Sequence, residues 1–260
     1  MMSRLWKWSL ILGTCFLGGV LGILFWYSAS KAVVIVEQAE QVGEADLTGL
    51  TEEILLQKEQ YDFVVIVNAA HGGTNLGNAV NGIQEKDITL SVAQKLDELG
   101  EEEGIGIFLI RSSDIDISNE NRVELIEAVG PDLVLDLHVN ADPENERTLG
   151  TSVLYNGRFY HPGITNAALA DLVERELVTS IEGKANGIFA DEEERYPLLE
   201  MIRIPGVSVE MGYLTNEEEA ALLKQDAYQM KMAQGLYRSI VRVREEVEEN
   251  EAANYIRNGK

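Results

Sequence analysis

The sequence predicts an α/β protein with a mostly parallel central sheet, helices on both faces of that sheet, and one N-terminal transmembrane helix ahead of it. Two observations support this fold class. From about residue 61 onward, short apolar runs rich in Val, Ile and Leu alternate with segments of helical periodicity, the order of elements that builds a parallel sheet. Ahead of them, residues 8–27 form an uncharged span of twenty residues, long enough to cross a bilayer.

The residues around this span indicate its orientation. Arg4 and Lys7 precede it, Lys31 follows it, and Trp and Tyr residues stand at both ends, where they suit the membrane interfaces. We therefore predict that residues 1–31 are a cytoplasmic N-terminus and a signal anchor of a single-pass cell-membrane protein whose domain is extracytoplasmic. A cleaved signal peptide, which would export the protein, is the alternative, although the apolar run is longer than the usual signal-peptide core.

Composition limits the possible partners and ligands of the domain. The chain has 260 residues and a net charge of -23, and this acidity argues against nucleic acid as a partner. The only cysteine, Cys15, lies in the apolar span, so the domain has neither disulfides nor thiol ligands. Any metal must be held by carboxylates and by the histidines, which are His71, His138 and His161.

The first predicted segment, at 32–60, is acidic and polar and includes a possible short helix near 51–57. It is either a stalk or linker, or an addition at the edge of the domain. A buried β-branched strand covers 63–67, and apolar residues at helical spacing predict a helix from Glu85 to Gly100. A second buried strand covers 105–110, and Ser118 is a suitable N-cap for a helix that ends at Val129.

The second half of the domain continues the pattern. Strands are predicted at 133–137, 150–155 and 206–210, with a long helix at 164–181 and a terminal helix at 217–247. The folded domain therefore extends over 61–247, and residues 248–260 are predicted to form an acidic, polar tail.

Ligand-type residues follow three of these strands. His71 lies in a glycine-rich loop after the first strand, Glu85 starts the next helix, His138 follows the third strand, and Glu210 ends the last one. Ligands of open α/β sheets bind at the carboxyl ends of the strands, so these side chains are candidates for one site. A lone histidine at a strand end is more often structural, but two of them with carboxylates nearby favour function.

Four motifs in this order carry a resemblance to a known family. HGG at 71–73, EKD at 85–87, DLHVNA at 136–141 and VEMGYLTN at 209–216 resemble the zinc-dependent N-acetylmuramoyl-L-alanine amidases of the amidase-3 family. The resemblance implies that His71, Glu85 and His138 bind Zn²⁺ and that Glu210 is the catalytic base, which activates a zinc-bound water. It also implies that the substrate is the amide between N-acetylmuramic acid and L-alanine in peptidoglycan. Membrane-anchored single-domain amidases of this size resemble those that process spore cortex for germination, with division enzymes as the alternative.

Such a ligand set leaves zinc an open position, as in hydrolytic sites. Without the resemblance, the residues by themselves indicate only metal-assisted hydrolysis of an amide or ester outside the membrane. Two alternatives therefore stay open: an extracytoplasmic zinc carboxypeptidase, for which no cluster of Arg or Lys near the motifs provides a carboxylate pocket, and a non-catalytic wall-binding module of the same fold.

The chain departs from the family pattern beside the first histidine. Asn68-Ala69-Ala70 replaces the usual Asp-Pro-Gly, and Asn75 stands where the family commonly has aspartate. These changes bear on loop geometry and on the support of the ligands. Two arginines that the family shares, Arg111 and Arg122, are predicted to be structural or substrate-side. His161 is predicted to be a surface or packing residue.

Overall fold

The computed structural model describes residues 46–100, 104–157 and 163–258. The predicted transmembrane helix and His161 lie outside these residues. Within the described part of the chain, no helix has a stretch long and apolar enough to span a membrane.

The described residues alternate between strands and helices as the sequence predicts. The elements in chain order are α1 (Thr48–Gln57), β1 (Phe63–Ala69), β2 (Ala79–Val80), β3 (Ile83–Gln84), α2 (Glu85–Leu99), β4 (Ile105–Leu109), α3 (Asn119–Val129), β5 (Leu133–Asn140), β6 (Thr151–Tyr155), α4 (Asn166–Ile181), β7 (Ala185–Ala190), α5 (Pro197–Met201), β8 (Gly206–Tyr213), α6 (Glu217–Leu223) and α7 (Asp226–Asn258). A short 3-10 helix at Lys58–Gln60 follows α1.

Six of the strands form one sheet in the order β4-β1-β5-β8-β6-β7, while β2 and β3 form a separate hairpin. Every pairing in the large sheet is parallel except that of β6 with β8. The mostly parallel sheet is thus confirmed. Its register places His138 of β5 directly beside Glu210 of β8.

Helices cover both faces of this sheet, which confirms the prediction. Successive side chains of a strand point to opposite faces, and β1 is apolar at nearly every position because both of its faces are buried. Val65 and Val67 pack in one core with residues of α2, α4 and α7. Val64 and Ile66 pack in the other core with residues of α1, α3 and α5.

The N-terminal part of this fold includes residues that the sequence assigned to a stalk. Leu47 and Ile54 are buried in the core that contains α3 and α5. Residues 47–60 therefore pack on the sheet, as an addition to the domain rather than as a free linker.

Several predicted boundaries differ from the structure. β5 and β8 continue to Asn140 and Tyr213, so His138 and Glu210 lie within strands and do not follow or end them. The predicted terminal helix is divided into two helices, because the first ends at Leu223 and the second begins at Asp226. The second of them runs to Asn258, so residues 248–258 of the predicted tail are helical.

Candidate active site

The four residues singled out in the sequence lie in one pocket at the carboxyl edge of the sheet. His71 follows β1, His138 and Glu210 come from the neighbouring strands β5 and β8, and Glu85 is the first residue of α2. The pocket has a volume of about 330 Å³ and is lined by His71, Gly77, Asn78, Glu85, His138, Val139, Asn140, Arg195, Tyr196 and Glu210.

Three of these side chains converge closely enough to hold a metal ion. His71 Nε2 lies 3.2 Å from Glu85 Oε2, and His138 Nδ1 lies 3.0 Å from Glu85 Oε1. One ligand atom of each residue lies within 4.8 Å of those of the other two. Tetrahedral zinc with bonds of about 2.0–2.1 Å separates its ligand atoms by roughly 3.3 Å. The imidazole and carboxylate donors therefore fit zinc in chemistry, and the two distances to Glu85 match its spacing.

In both His71 and His138, the ring nitrogen that faces away from Glu85 also has an oxygen partner. His71 Nδ1 lies 3.0 Å from Asn75 Oδ1, and His138 Nε2 lies 3.1 Å from Asp136 Oδ2. Such partners orient the ring of a metal-binding histidine and select its tautomer. Asn75, which departs from the aspartate common in the family, thus still supplies an oxygen to His71.

Electrostatics in the cluster favour a cation. Burial alone would raise the pKa of Glu85, but hydrogen bonds with His138 and His71 outweigh it and hold that pKa well below its usual value. Burial disfavours the charged ring of His138, but Asp136 and Glu85 outweigh it and raise the pKa of His138 to about 10. Protons and metal ions compete for the same imidazole nitrogens, so the charge that attracts the proton also favours a divalent cation.

Asn68, in the segment that replaces Asp-Pro-Gly, also supports the cluster. The amide nitrogen of Asn68 donates to Asp136 Oδ1 at 2.7 Å, and the amide oxygen accepts a hydrogen bond from Arg122. Asn68 and Asp136 are paired in register on neighbouring strands. An aspartate at position 68 would place a second buried carboxylate against Asp136, which is unfavourable without a shared proton. Asparagine avoids this repulsion and leaves Asp136 free to hold His138.

The two arginines have structural positions. Arg111 is 1% exposed and donates to the carbonyls of Ala69 and Ala70 at 2.8 and 3.0 Å. Arg122 donates to the carbonyl of His71 at 2.7 Å. Neither side chain lines the pocket. Of the two predicted roles, the geometry therefore favours the structural one: both arginines hold the backbone on which His71 sits.

The loop that contains His71 has a strained backbone, and two aspartates from another part of the chain hold it by hydrogen bonds. His71 has a φ of 62°, a left-handed conformation that residues other than glycine rarely adopt. Asp114 accepts a hydrogen bond from the amide of Gly73 at 2.7 Å, and Asp116 accepts one from the amide of Thr74 at 3.0 Å. Strained residues persist where their surroundings fix them, often at functional sites.

Gly77 allows His71 and Glu85 to approach each other, and replacing it tests the cluster. A Cβ at this position would lie 2.5 Å from His71 Cδ2 and 2.6 Å from Glu85 Oε2. We expect Gly77→Ala to lower metal affinity by about 10-fold or more, the range found when support of metal ligands is disturbed. Metal content after dialysis against a graded chelator measures the effect.

Gly82 supplies the matched control for this substitution. Its φ of 78° is close to the 64° of Gly77, so alanine meets a similar backbone penalty, but a Cβ there would have nothing within 4 Å. Gly82→Ala should retain the metal. Equal loss from both variants would show that backbone strain, not contact with the ligands, is responsible.

Glu210 lies beside the cluster and has its own partners. It is 5% exposed. Asn140 and Ser152 donate to Oε2, and the hydroxyl of Tyr196 donates to Oε1. The ring of Tyr196 also meets the ring of His138 edge-on, with 4.8 Å between their centroids. Tyr196 was missed in the sequence because it stands on a loop outside the four motifs; Asn140 belongs to DLHVNA but received no role.

Comparison with known proteins shows what the chain is similar to. Residues 65–242 match the family described as N-acetylmuramoyl-L-alanine amidase. The Bacillus subtilis protein YqiI is 30% identical over 176 residues, which are 68% of this chain and 82% of that protein. The germination-specific N-acetylmuramoyl-L-alanine amidase of Bacillus subtilis is 29% identical over 200 residues, covering 69% of this chain and 78% of the relative.

Two solved structures share the architecture. The CwlD amidase from Clostridioides difficile, in complex with the GerS lipoprotein, superposes with a TM-score of 0.65 at 26% identity and covers 71% of this chain and 99% of that one. The AmiC2 amidase of Nostoc punctiforme superposes with a TM-score of 0.64 at 26% identity, over 70% of this chain and 97% of that one.

Proposed function

The chain belongs to the N-acetylmuramoyl-L-alanine amidase family and is an amidase, and from this premise we propose a zinc-dependent mechanism acting on peptidoglycan. The bond cleaved is the amide between N-acetylmuramic acid and L-alanine, Zn²⁺ is held by His71, Glu85 and His138, and Glu210 is the general base. The observation that carries the proposal is that a three-residue cluster with zinc-binding chemistry stands next to a separately held, buried glutamate in one pocket.

The chemistry divides between the bound ion and the chain. Zinc, when bound, supplies a Lewis acid that polarises a carbonyl and makes a water more acidic. Glu210 accepts a proton from the attacking water while the water oxygen bonds to the carbonyl carbon. It then returns that proton to the nitrogen as the carbon–nitrogen bond breaks, so that the peptide departs as a neutral amine. Asp136 and Asn75 keep the two imidazoles oriented throughout.

The carboxypeptidase alternative gains one residue from the structure. Among the residues described, one arginine, Arg195, lines the pocket, and its side chain is 51% exposed with acidic neighbours 3.8 and 3.9 Å away. A single solvated guanidinium is weaker than the enclosed cationic pocket that a terminal carboxylate requires. Membership of the amidase family supports amide cleavage at the glycan–peptide junction instead.

Digestion of peptidoglycan sacculi tests the proposal. Full-length protein in detergent, loaded with one zinc per chain, should release soluble peptides that carry new L-alanine amino termini, and Glu210→Gln protein should release them at least about 10²-fold more slowly. New carboxyl termini without new amino termini would show a carboxypeptidase. The similarity to a germination-specific relative supports action on spore cortex, so cortex sacculi should be digested faster than vegetative sacculi.

A retained N-terminal anchor is the last part of the proposal. Its support is the uncharged span at 8–27 with Arg4 and Lys7 ahead of it. Full-length protein should stay with the membrane fraction after a carbonate wash, and protease added outside the cell should digest everything beyond Lys31. Recovery of a soluble mature form that starts near Ser30 would show that the segment is a cleaved signal.

A further inference from the structure

The hydrogen bonds on Glu210 distinguish its two carboxylate oxygens. An ionised carboxylate has about four lone-pair positions, two on each oxygen. Oε2 already accepts from Asn140 and Ser152, so both of its positions are taken. Oε1 accepts from Tyr196, which leaves one position on that oxygen. A water that gives a proton to Glu210 therefore meets Oε1, next to the Tyr196 hydroxyl.

The position of Tyr196 is set by a buried carboxylate on its own loop. Asp191 is 6% exposed and accepts hydrogen bonds from the amides of Arg195 and Tyr196 at 3.1 and 2.9 Å. Its own amide donates to the carbonyl of Tyr155 in β6 at 2.9 Å, which ties the loop to the sheet. Pro197 then begins α5 immediately after Tyr196 and restricts the backbone.

The ring of Tyr196 is fixed as well as its backbone. It contacts His138 edge-on at an interplanar angle of 72°, so the hydroxyl at the far end of the ring has little freedom to leave Glu210. One side chain thus spans a candidate metal ligand and the candidate base.

We propose that Tyr196 is a positioning residue for Glu210. Its hydroxyl holds Oε1 so that the remaining lone pair of that oxygen faces the water whose proton Glu210 removes. The inference rests on the proposed role of Glu210 as general base. Without the hydroxyl, the carboxylate keeps its charge and its bonds to Asn140 and Ser152, but Oε1 is free to turn or to bind water in an unproductive direction.

Tyr196→Phe tests this role because it removes the hydroxyl and keeps the ring against His138. In full-length, zinc-loaded protein acting on a soluble muramoyl-peptide, we expect kcat to fall by about 10–100-fold, the cost of misplacing a reacting group by roughly 1 Å. KM should stay within about 2-fold and zinc content should be unchanged, since neither substrate nor metal is held by the hydroxyl. Tyr228→Phe, which removes the hydroxyl of a partly buried tyrosine on α7 outside the pocket, should leave kcat unchanged.

Combination with Glu210→Gln separates this inference from the proposed function. If Tyr196 acts through Glu210, Tyr196→Phe should lower the single-turnover rate of the Glu210→Gln enzyme by less than about 2-fold. A higher KM with normal kcat would make Tyr196 a substrate contact and overturn the inference. An unchanged kcat of Tyr196→Phe beside a strongly slowed Glu210→Gln enzyme would overturn it as well. Near-normal turnover of the Glu210→Gln enzyme would instead overturn the general-base role itself.

Discussion

Glu210→Gln is expected to lower turnover by at least about 10²–10⁴-fold, the usual contribution of a general base, while zinc content stays that of the unsubstituted protein. The reason is the separation of roles in the pocket: Glu210 is bound by Asn140, Ser152 and Tyr196 and is not one of the three clustered ligands. Glutamine keeps the size and most hydrogen bonds of the side chain but cannot take the proton. Zinc per chain by mass spectrometry and the rate of amine release are measured on the same preparation.

Glu85→Gln is the matched comparison, because it makes the same chemical change on the other glutamate of the pocket. The carboxylate oxygens of Glu85 lie 3.2 Å from His71 Nε2 and 3.0 Å from His138 Nδ1, and the residue is 2% exposed. A neutral amide is a poor replacement for an anionic ligand, so this variant should lose zinc as well as activity. Zinc loss from Glu210→Gln, or near-normal turnover with zinc bound, would be incompatible with Glu210 as the base.

His138→Ala is expected to abolish zinc binding and activity together. His138 supplies one of only three side-chain ligands in the proposed site, and metal affinity depends on all of them. The substitution also removes one partner from each of two buried carboxylates, Asp136 and Glu85, whose ionised forms His138 stabilises. Zinc content, activity and circular dichroism are compared with those of the unsubstituted protein.

Two further histidine variants keep this prediction testable even where His138→Ala folds poorly. His71→Ala removes another proposed ligand. The His71 side chain is 24% exposed, so the fold should survive while zinc and activity are lost. His161→Ala, which changes the histidine outside the predicted ligand set, should retain both. Zinc loss from His161→Ala, or zinc retention by His71→Ala, would show that the ligand set is wrong.

The main elements of the domain were predictable because the spacing of their apolar residues along the sequence reflects which positions are buried. The β-branched run of β1 is buried on both faces, and the apolar residues of α2 recur along one face. Ser118 caps α3 as predicted, since its side chain accepts a hydrogen bond from the amide of Asn121. The edge strand β7 was not predicted because it contains Gly187 and is only partly buried, so its sequence lacks an apolar signature.

The candidate site was predictable because a parallel sheet places the carboxyl ends of its strands at one edge. His71 follows β1, and His138 and Glu210 lie in the carboxyl-terminal halves of β5 and β8. The motifs around them, with Glu85, are specific enough to indicate a family. Sequence by itself therefore determined the fold class, the proposed ligands and the proposed base.

Only the tertiary structure decided how these side chains are supported. Tyr196 reaches Glu210 from a loop that no motif marks, because Asp191 and the packing on His138 place it there. Asn68, a departure from the family pattern in sequence, proves to bridge Arg122 and Asp136 across neighbouring strands. Such contacts join residues far apart in the chain, and their geometry depends on strand register and order, which local sequence patterns do not encode.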